Sequence, residues 1–228
     1  MILSLKYQFI FVHVPKTAGS AITAALRPYA NTPERTLWSS VKRRLPINEP
    51  PELAHFRIHD TAARIRAKLS PEVYARFHSF AVVRNPFDHA VSHFEYMKQY
   101  RNARIAARFA RMSFEAYLAD RMKGTGFFSR IFVRLPDQSY FVVGRDGQLA
   151  VDSLLRFEAI TDEFDTLASN LRLPAPEIAE HNQTRARNRS RPLAEWYNAT
   201  TLDMVRTLYD RDFDMLGYPR DFPTGQAG

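Results

Sequence analysis

The first residues of this chain that could bind an anion form the stretch PKTAGS, residues 15–20, directly after an apolar run. That run, residues 9–14, is short and rich in β-branched and aromatic side chains, which predicts a strand covered on both faces. Pro15 should end the strand, and Gly19 with the small residues after it predicts a helix. Because the first N–H groups of a helix have no partner and favour negative charge, this turn could cradle phosphate or sulfate.

The order of residues in this turn differs from that of a Walker A loop, in which the lysine follows the last glycine. Here Lys16 precedes Gly19, and no glycine lies upstream in the loop. The stretch is therefore either a phosphate loop of another kind or an ordinary strand–turn–helix connection with a solvated lysine.

A second apolar run, polar turn and helical pattern follow in FAVVRNPFDHAVSHF, residues 80–94. Residues 80–83 predict a strand, and the apolar residues after the turn recur at helical spacing. Arg84 stands at the carboxyl end of that strand, where open α/β sheets bind ligands, and Ser92 lies about two turns into the helix. A guanidinium and a hydroxyl suit a second anion site. Two such units predict a ligand with two anionic groups.

With these residues the chain resembles the sulfotransferases that use 3′-phosphoadenosine 5′-phosphosulfate, PAPS. VPKTAGS is similar to their 5′-phosphosulfate loop, and VVRNPFDHAVSHF to their 3′-phosphate motif, with Arg84 and Ser92 as the matching residues. Shorter matches follow in the order of the family: LPDQSYFV, RFEAI, HNQT and LYDRDFDMLGY. The likeness is closest to the carbohydrate sulfotransferase branch and its small bacterial members, and it spans nearly the whole chain.

The expected fold is α/β: a single P-loop-like domain of residues 1–228, with a central, mainly parallel β-sheet flanked by helices. The tail after about residue 221 should be frayed. Capping and turn signals predict further elements. These are a helix at 61–69 capped by Asp60 or Thr61, a helix after Ser70, a helix at 114–120 capped by Ser113, a hairpin within 139–151, a strand at 154–160, a helix at 161–171 capped by Thr161, and a last helix at 199–216. The helix after Arg84 is expected to reach residue 101 or beyond.

The resemblance also implies roles for single residues. Lys16 would be catalytic, because it stabilises charge on the leaving phosphate oxygen and on the transferring group. A polar segment after Asn182 would close over the nucleotide. The implied cofactor contacts are Lys16, Thr17, Ala18, Gly19, Ser20, Arg84, Ser92, Arg185 and Arg189.

Sulfuryl transfer to a hydroxyl needs a base near the acceptor oxygen, and histidine serves well near neutral pH. The family commonly places such a histidine between its two anion motifs, and HDTAARIR, residues 59–66, resembles its HxTAxxxR pattern. His59 is therefore the predicted catalytic base, with His55 second; the alternative for His59 is a helix cap. His55 and Gln138 are the predicted substrate contacts, and His13, within the strand, is interpreted as structural.

Composition limits the partners and the compartment. The net charge of +8 favours anionic partners, and PAPS, an anionic glycan and nucleic acid all qualify. The arginine cluster at 185–191 lacks interleaved aromatic residues, so nucleic acid is not expected. Without cysteine there can be no disulfide or thiolate metal site, and no metal is expected. No apolar run reaches the ~20 residues of a membrane span, and no signal peptide is expected, so the predicted location is cytoplasmic.

The predicted activity is transfer of a sulfuryl group from PAPS, which leaves PAP, to a hydroxyl or amine of an acceptor, with a saccharide expected. Two other classes stay open: a nucleotide kinase or other phosphotransferase with an atypical loop, and a non-catalytic basic protein that binds glycan or nucleic acid. Stabilisation by ATP and Mg²⁺ but not by PAP would favour the first. Salt-sensitive binding of nucleic acid without PAP binding would favour the second.

Overall fold

The computed structural model describes residues 1–34, 39–42, 44–45, 47–123, 137–174 and 191–223. The chain forms two compact units. The first consists of Met1–Val83 with Gln138–Asn182, and the second of Arg84–Asp137 with Gln183–Gly228. Each unit has its own hydrophobic core. That the whole chain acts as one domain stays a prediction.

The first unit is built on a four-stranded sheet in the order β1 (Ile2–Ser4), β2 (Phe9–Val12), β3 (His78–Val83) and β4 (Ser153–Arg156). The strands β2, β3 and β4 are parallel, and β1 pairs antiparallel with β2. All of β2 is buried, as expected for a strand covered on both faces. The predicted α/β fold with a mainly parallel sheet is confirmed, and β1 adds an antiparallel edge that the sequence patterns did not predict.

The strand register sets the edge at which a site can form. Phe9 lies opposite His78 and Val12 opposite Ala81, so β2 and β3 run in step. Their carboxyl ends therefore reach the same edge of the sheet, which is where ligands bind in open parallel sheets.

Eleven α-helical segments lie in the described residues. In chain order they are α1 (Gly19–Leu26), α2 (Ser39–Lys42), α3 (Ala62–Leu69), α4 (Pro71–Tyr74), α5 (Pro86–Lys98), α6 (Ala103–Ala110), α7 (Phe114–Lys123), α8 (Ser139–Val142), α9 (Ile160–Asn170), α10 (Ala199–Leu208) and α11 (Asp210–Leu216). Short 3₁₀ turns occur at Arg27–Tyr29, Phe157–Ala159 and Leu193–Trp196. Among the helices that the structure describes, none has the length and apolar character that crossing a membrane requires.

Three predicted helix caps are confirmed. The side-chain oxygen of Thr61 accepts from the N–H of Arg64 at 3.1 Å, and Ser70 caps α4 in the same way. Ser113 accepts from Ala116 at 3.1 Å and starts α7. Such caps contribute roughly 1 kcal/mol each, because they satisfy an N–H group that would otherwise lack a partner.

The predicted hairpin within residues 139–151 is wrong for its first strand, although its turn and one antiparallel bridge are present. The N–H of Val143 donates to the carbonyl of Ser139 at 2.9 Å, so this backbone is captured in a helical turn, α8. Of the expected strand pairing, an isolated bridge between Val143 and Leu149 remains, flanked by backbone hydrogen bonds from Gly144 to Gln148 and from Ala150 to Val142. Gly147, with a φ of 80°, forms the turn between them.

Other element boundaries also differ from the prediction. β4 ends at Arg156 because the N–H of that residue donates to the Glu163 carboxylate at 2.6 Å instead of continuing a ladder. The α9 helix begins at Ile160, and no side-chain hydrogen bond from the described residues caps it. The helix after Arg84 ends at Lys98, and the predicted last helix is divided at Tyr209.

The two cores differ in character. In the first unit, Phe9, Phe11 and Phe80 pack with aliphatic residues of α1 and α9. In the second, aromatic side chains of α5, α7 and the chain after residue 191 form one cluster. Tyr209 and Phe213, both from the predicted last helix, are buried there.

Candidate active site

The loop after β2 has a backbone that is unusual for residues with side chains. Lys16 and Ala18 have φ values of 67° and 62°, and Thr17 between them does not have a positive φ. Each such residue costs roughly 1–3 kcal/mol, and alternation of this kind turns successive N–H groups toward one concave side. Thr17 is fully buried, and its hydroxyl donates to the carbonyl of Val14 at 3.0 Å. The hydrogen bond from Thr17 to Val14 therefore holds the loop in a strained conformation that is lined by backbone amides.

The α1 helix begins directly at this loop. The N–H groups of Ala21 and Ile22 both donate to the carbonyl of Ala18, at 2.9 and 3.2 Å. In the part of the chain that the structure describes, no side chain caps α1. The preceding amides, of Gly19 and Ser20, are thus placed where an anion at a helix start is bound. Lys16 is half-buried and Ser20 exposed at the same turn.

His59 is connected to this loop by a hydrogen bond. Its Nδ1 lies 3.0 Å from the carbonyl oxygen of His13, which stands three residues before Lys16. A carbonyl only accepts, so Nδ1 carries the hydrogen and the lone pair of the neutral ring is on Nε2. Although the residue as a whole is exposed, burial of its ring lowers the pKa of His59, against the opposing effect of the His13 bond. The basic form of the ring is therefore favoured at neutral pH.

The alternative role for His59, a helix cap, does not fit the geometry, because Thr61 caps α3. His55 is also placed differently from His59. Its Nε2 lies 3.0 Å from the carbonyl oxygen of Glu34 and so carries the hydrogen. Its Nδ1 is buried and makes no hydrogen bond to the described residues. The lone pair of His55 thus faces the protein interior, which makes His59 the better candidate for a base.

The second motif is in the second unit. Asn85 caps α5 by accepting from the N–H of Phe87 at 3.0 Å, and Ser92 is half-buried on that helix. The Nε of Arg84 donates to the Asp88 carboxylate at 2.6 Å, and both residues are buried. Asp88 thus fixes the plane of the guanidinium. Sequence reasoning missed Asp88, although its spacing of four residues from Arg84 at a helix start was a usable signal.

A buried polar cluster also supports α5. It consists of Arg121, Tyr117, Tyr209, His89 and His93. Arg121 donates to the hydroxyl of Tyr209 at 2.7 Å, and that hydroxyl lies 3.2 Å from Nδ1 of His89. The Tyr117 hydroxyl lies 2.5 Å from Nδ1 of His93. Burial raises the pKa of both tyrosines, so they stay neutral donors. The sequence carried no signal for this cluster, because its members are up to 120 residues apart.

The remaining predicted contact residues are Gln138, Arg185 and Arg189. Gln138 is fully buried beside the start of α8, and its role in acceptor binding stays a prediction. Arg185 and Arg189, with the HNQT stretch, lie outside the described residues. Among the residues that the structure does describe, no group of three or more His, Asp or Glu side chains could hold a metal ion.

Comparison with family models identifies the family of this chain. The model of the sulfotransferase family matches residues 1–219, which include both anion motifs and His59. None of the curated proteins and none of the solved structures matches the chain.

Proposed function

The chain belongs to the sulfotransferase family, and on this premise we propose that it transfers the sulfuryl group of PAPS to a hydroxyl or amine of a saccharide. The observation that carries the proposal is the 3.0 Å hydrogen bond between Nδ1 of His59 and the carbonyl of His13. This bond joins the proposed base to the proposed anion loop and leaves Nε2 as the basic atom.

The donor would meet each motif through one anionic group. Lys16 and the amides of residues 17–20 bind the 5′-phosphosulfate, which supplies the activated sulfuryl group. Thr17 contributes its amide, because the hydrogen of its hydroxyl is donated to Val14. Arg84, oriented by Asp88, and Ser92 bind the 3′-phosphate, which distinguishes PAPS from ATP. The uncapped start of α1 and the positive φ of Lys16 and Ala18 support this assignment.

The transfer step uses one proton acceptor and one cation. Nε2 of His59 takes the proton of the acceptor hydroxyl while the acceptor oxygen forms its bond to sulfur. The bond between sulfur and the 5′-phosphate oxygen breaks, and Lys16 stabilises the negative charge on that oxygen. Positioning of the two reactants by the fixed loop contributes the rest, and a base in this role contributes roughly 10²- to 10⁴-fold.

An exposed aromatic residue near His59 supports a saccharide as the acceptor. Tyr140 is 55% exposed, and its ring centroid lies 5.3 Å from that of Phe141. The Phe141 ring in turn lies 6.5 Å from the ring of His59. An amphipathic ring that is exposed near the base offers a flat face for a sugar ring and a hydroxyl for its polar groups.

The compartment and the partners belong to the same proposal. The cysteine-free composition suits a reducing compartment, and we place the enzyme in the cytoplasm with a glycan, not nucleic acid, as its partner. No metal enters the proposed reaction, because Lys16 and the loop amides supply the positive field.

Calorimetric titration with PAP beside ATP and Mg²⁺ tests the donor site, and labelled sulfate from PAPS offered to a panel of saccharides tests the reaction. We expect binding of PAP and labelled saccharide. Lys16→Ala should abolish transfer, whereas Lys6→Ala, which removes an exposed lysine between β1 and β2, should not. Binding of ATP and Mg²⁺ without PAP would contradict the proposal.

Two further variants assign the roles. Arg84→Ala should chiefly weaken PAP binding, and unchanged affinity would argue against the 3′-phosphate assignment. His59→Ala should lower turnover by about 10²-fold or more with PAP affinity intact. The matched control is His78→Ala, which removes a histidine at the opposite, amino-terminal end of β3.

A further inference from the structure

The ring of His13 lies between three parts of the first unit. It stacks on Phe11 with ring centroids 5.8 Å apart, and the ring of His59 contacts it edge-on at 4.5 Å. The residue is 9% exposed, and its Nδ1 is buried without a hydrogen bond to the described residues. The ring is therefore held by packing, not by a polar bond at Nδ1.

The third neighbour of this ring is Gly19, the first residue of α1. A Cβ added to Gly19 would lie 1.9 Å from Nε2 and 2.0 Å from Cδ2 of His13. Both distances are far below a van der Waals contact. Gly19 does not have a positive φ, so its backbone conformation does not explain the absence of a side chain. The ring of His13 occupies the space that a side chain would need.

From these contacts we infer that His13 is a positioning residue for sulfuryl transfer: its imidazole, wedged between Gly19 and His59, sets the place of the base relative to the anion loop. The inference rests on the function proposed above. His13 contacts the base on one side and the start of the anion-binding helix on the other. A shift of either contact would move the Nε2 of His59 relative to the bound donor.

The charge state of His13 suits this role. Burial lowers the pKa of His13 to about 3, so its ring is neutral in the working range of the enzyme. A neutral wedge supports His59 without adding a positive charge that would disfavour protonation of the base during the reaction. The backbone carbonyl of His13 fixes the tautomer of His59, so the side chain and the backbone of His13 both act on the ring of His59.

A double-mutant cycle tests the inference. His13→Ala should lower kcat about 10- to 100-fold while the Kd for PAP changes less than about 3-fold, because misplacement of the base affects the reaction and not donor binding. Gly19→Ala should also lower kcat, because the new methyl group displaces the ring. In the His13→Ala background the methyl has room, so the double variant should be no slower than His13→Ala alone. His78→Ala is the matched control, with kcat expected within about 2-fold of wild type.

Nitrogen NMR of the His59 ring gives a reading that does not depend on turnover. The wild type should show the neutral tautomer with the hydrogen on Nδ1. His13→Ala keeps the carbonyl that accepts this hydrogen but removes the ring that holds His59 beside it, so this tautomer should no longer predominate. Multiplicative effects of the two substitutions on kcat would overturn the inference. So would wild-type turnover in His13→Ala, or the unchanged tautomer in a slow His13→Ala enzyme.

The cycle also separates this inference from the proposed function. A wild-type protein that neither binds PAP nor turns over PAPS would contradict the proposed function. In that case the tautomer of His59 would still report on its contact with His13, and the melting temperatures of the four proteins of the cycle, in which the two substitutions should be non-additive, would report on the contact between His13 and Gly19. If the wild type turns over PAPS but the effects of His13→Ala and Gly19→Ala on kcat are independent of each other, the proposed function stands and the role of His13 is rejected.

Discussion

Acid should destabilise this protein partly through the buried imidazole of His13. The side chain is 9% exposed, and burial lowers its pKa from 6.5 to about 3. In the unfolded chain the same ring accepts a proton near its ordinary pKa. Between these two values the unfolded state therefore binds more protons than the folded state, and stability is lost as the pH falls.

The size of this effect follows from the two pKa values. Integrating the linkage relation from pH 7 to pH 5 removes about 2 kcal/mol from the free energy of unfolding, and about 3 kcal/mol is lost by pH 4. A protein of this size has a total stability of roughly 5–15 kcal/mol. One imidazole thus accounts for a measurable share of the acid sensitivity.

Urea unfolding of the wild type and of His13→Phe at pH 7 and pH 5 measures the effect. Phenylalanine keeps an aromatic ring at this position but cannot titrate. The carboxylates and the other histidines, His59 included, are present in both proteins, so their contributions cancel in the difference. We expect the wild type to lose about 2 kcal/mol more than the variant over this range. Equal losses in the two proteins would refute the buried, neutral state of His13.

Substitutions at three further sites test other parts of the structure. Asp88→Asn should weaken PAP binding about 10-fold, because a neutral amide holds the Arg84 guanidinium less firmly than a carboxylate, and calorimetry with no change in affinity would reject this. Lys68→Met should lower the free energy of unfolding by roughly 2 kcal/mol, because it removes the buried one of the two lysines that pair with the buried Glu49 carboxylate and leaves only the more exposed Lys42, at 3.4 Å. Adding Glu49→Gln should restore part of that loss in urea unfolding, and no recovery would count against the pair. Tyr140→Ala should raise the acceptor KM about 10-fold with PAP affinity intact, whereas Tyr140→Phe should retain most of the binding; equal KM values in all three proteins would exclude this ring from the acceptor site.

Features set by near neighbours in the chain could be predicted from the sequence. The caps at Thr61, Ser70 and Ser113 each need only a hydroxyl three residues before the N–H group that it accepts from. The strand–loop–helix order around Lys16 and around Arg84 follows from apolar runs ended by proline. Both kinds of signal span fewer than ten residues.

Features set by tertiary packing could not be predicted. The apolar stretch at residues 139–143 suits a strand by composition, yet the bond from Val143 to Ser139 makes it a helical turn. The contact between Arg121 and Tyr209 joins residues that are 88 positions apart, and no local pattern marks either one. His13, which the sequence predicts to be a structural residue within the strand, lies just after the end of β2, and its contacts with Gly19 and His59 depend on how α1 and the segment before α3 meet β2.

Gly19 of the anion loop has a structural reason that differs from the one its sequence position predicts. A glycine in such a turn predicts either a positive φ or a close approach of an anion to the backbone. In this loop the positive φ values belong to Lys16 and Ala18, which carry side chains, and Gly19 has none. Glycine at position 16 would relieve strain of about 1 kcal/mol but would remove the cation proposed to stabilise the leaving oxygen. The one position without a side chain is where the ring of His13 lies, so the composition of this loop fits the support of a base as well as the binding of an anion.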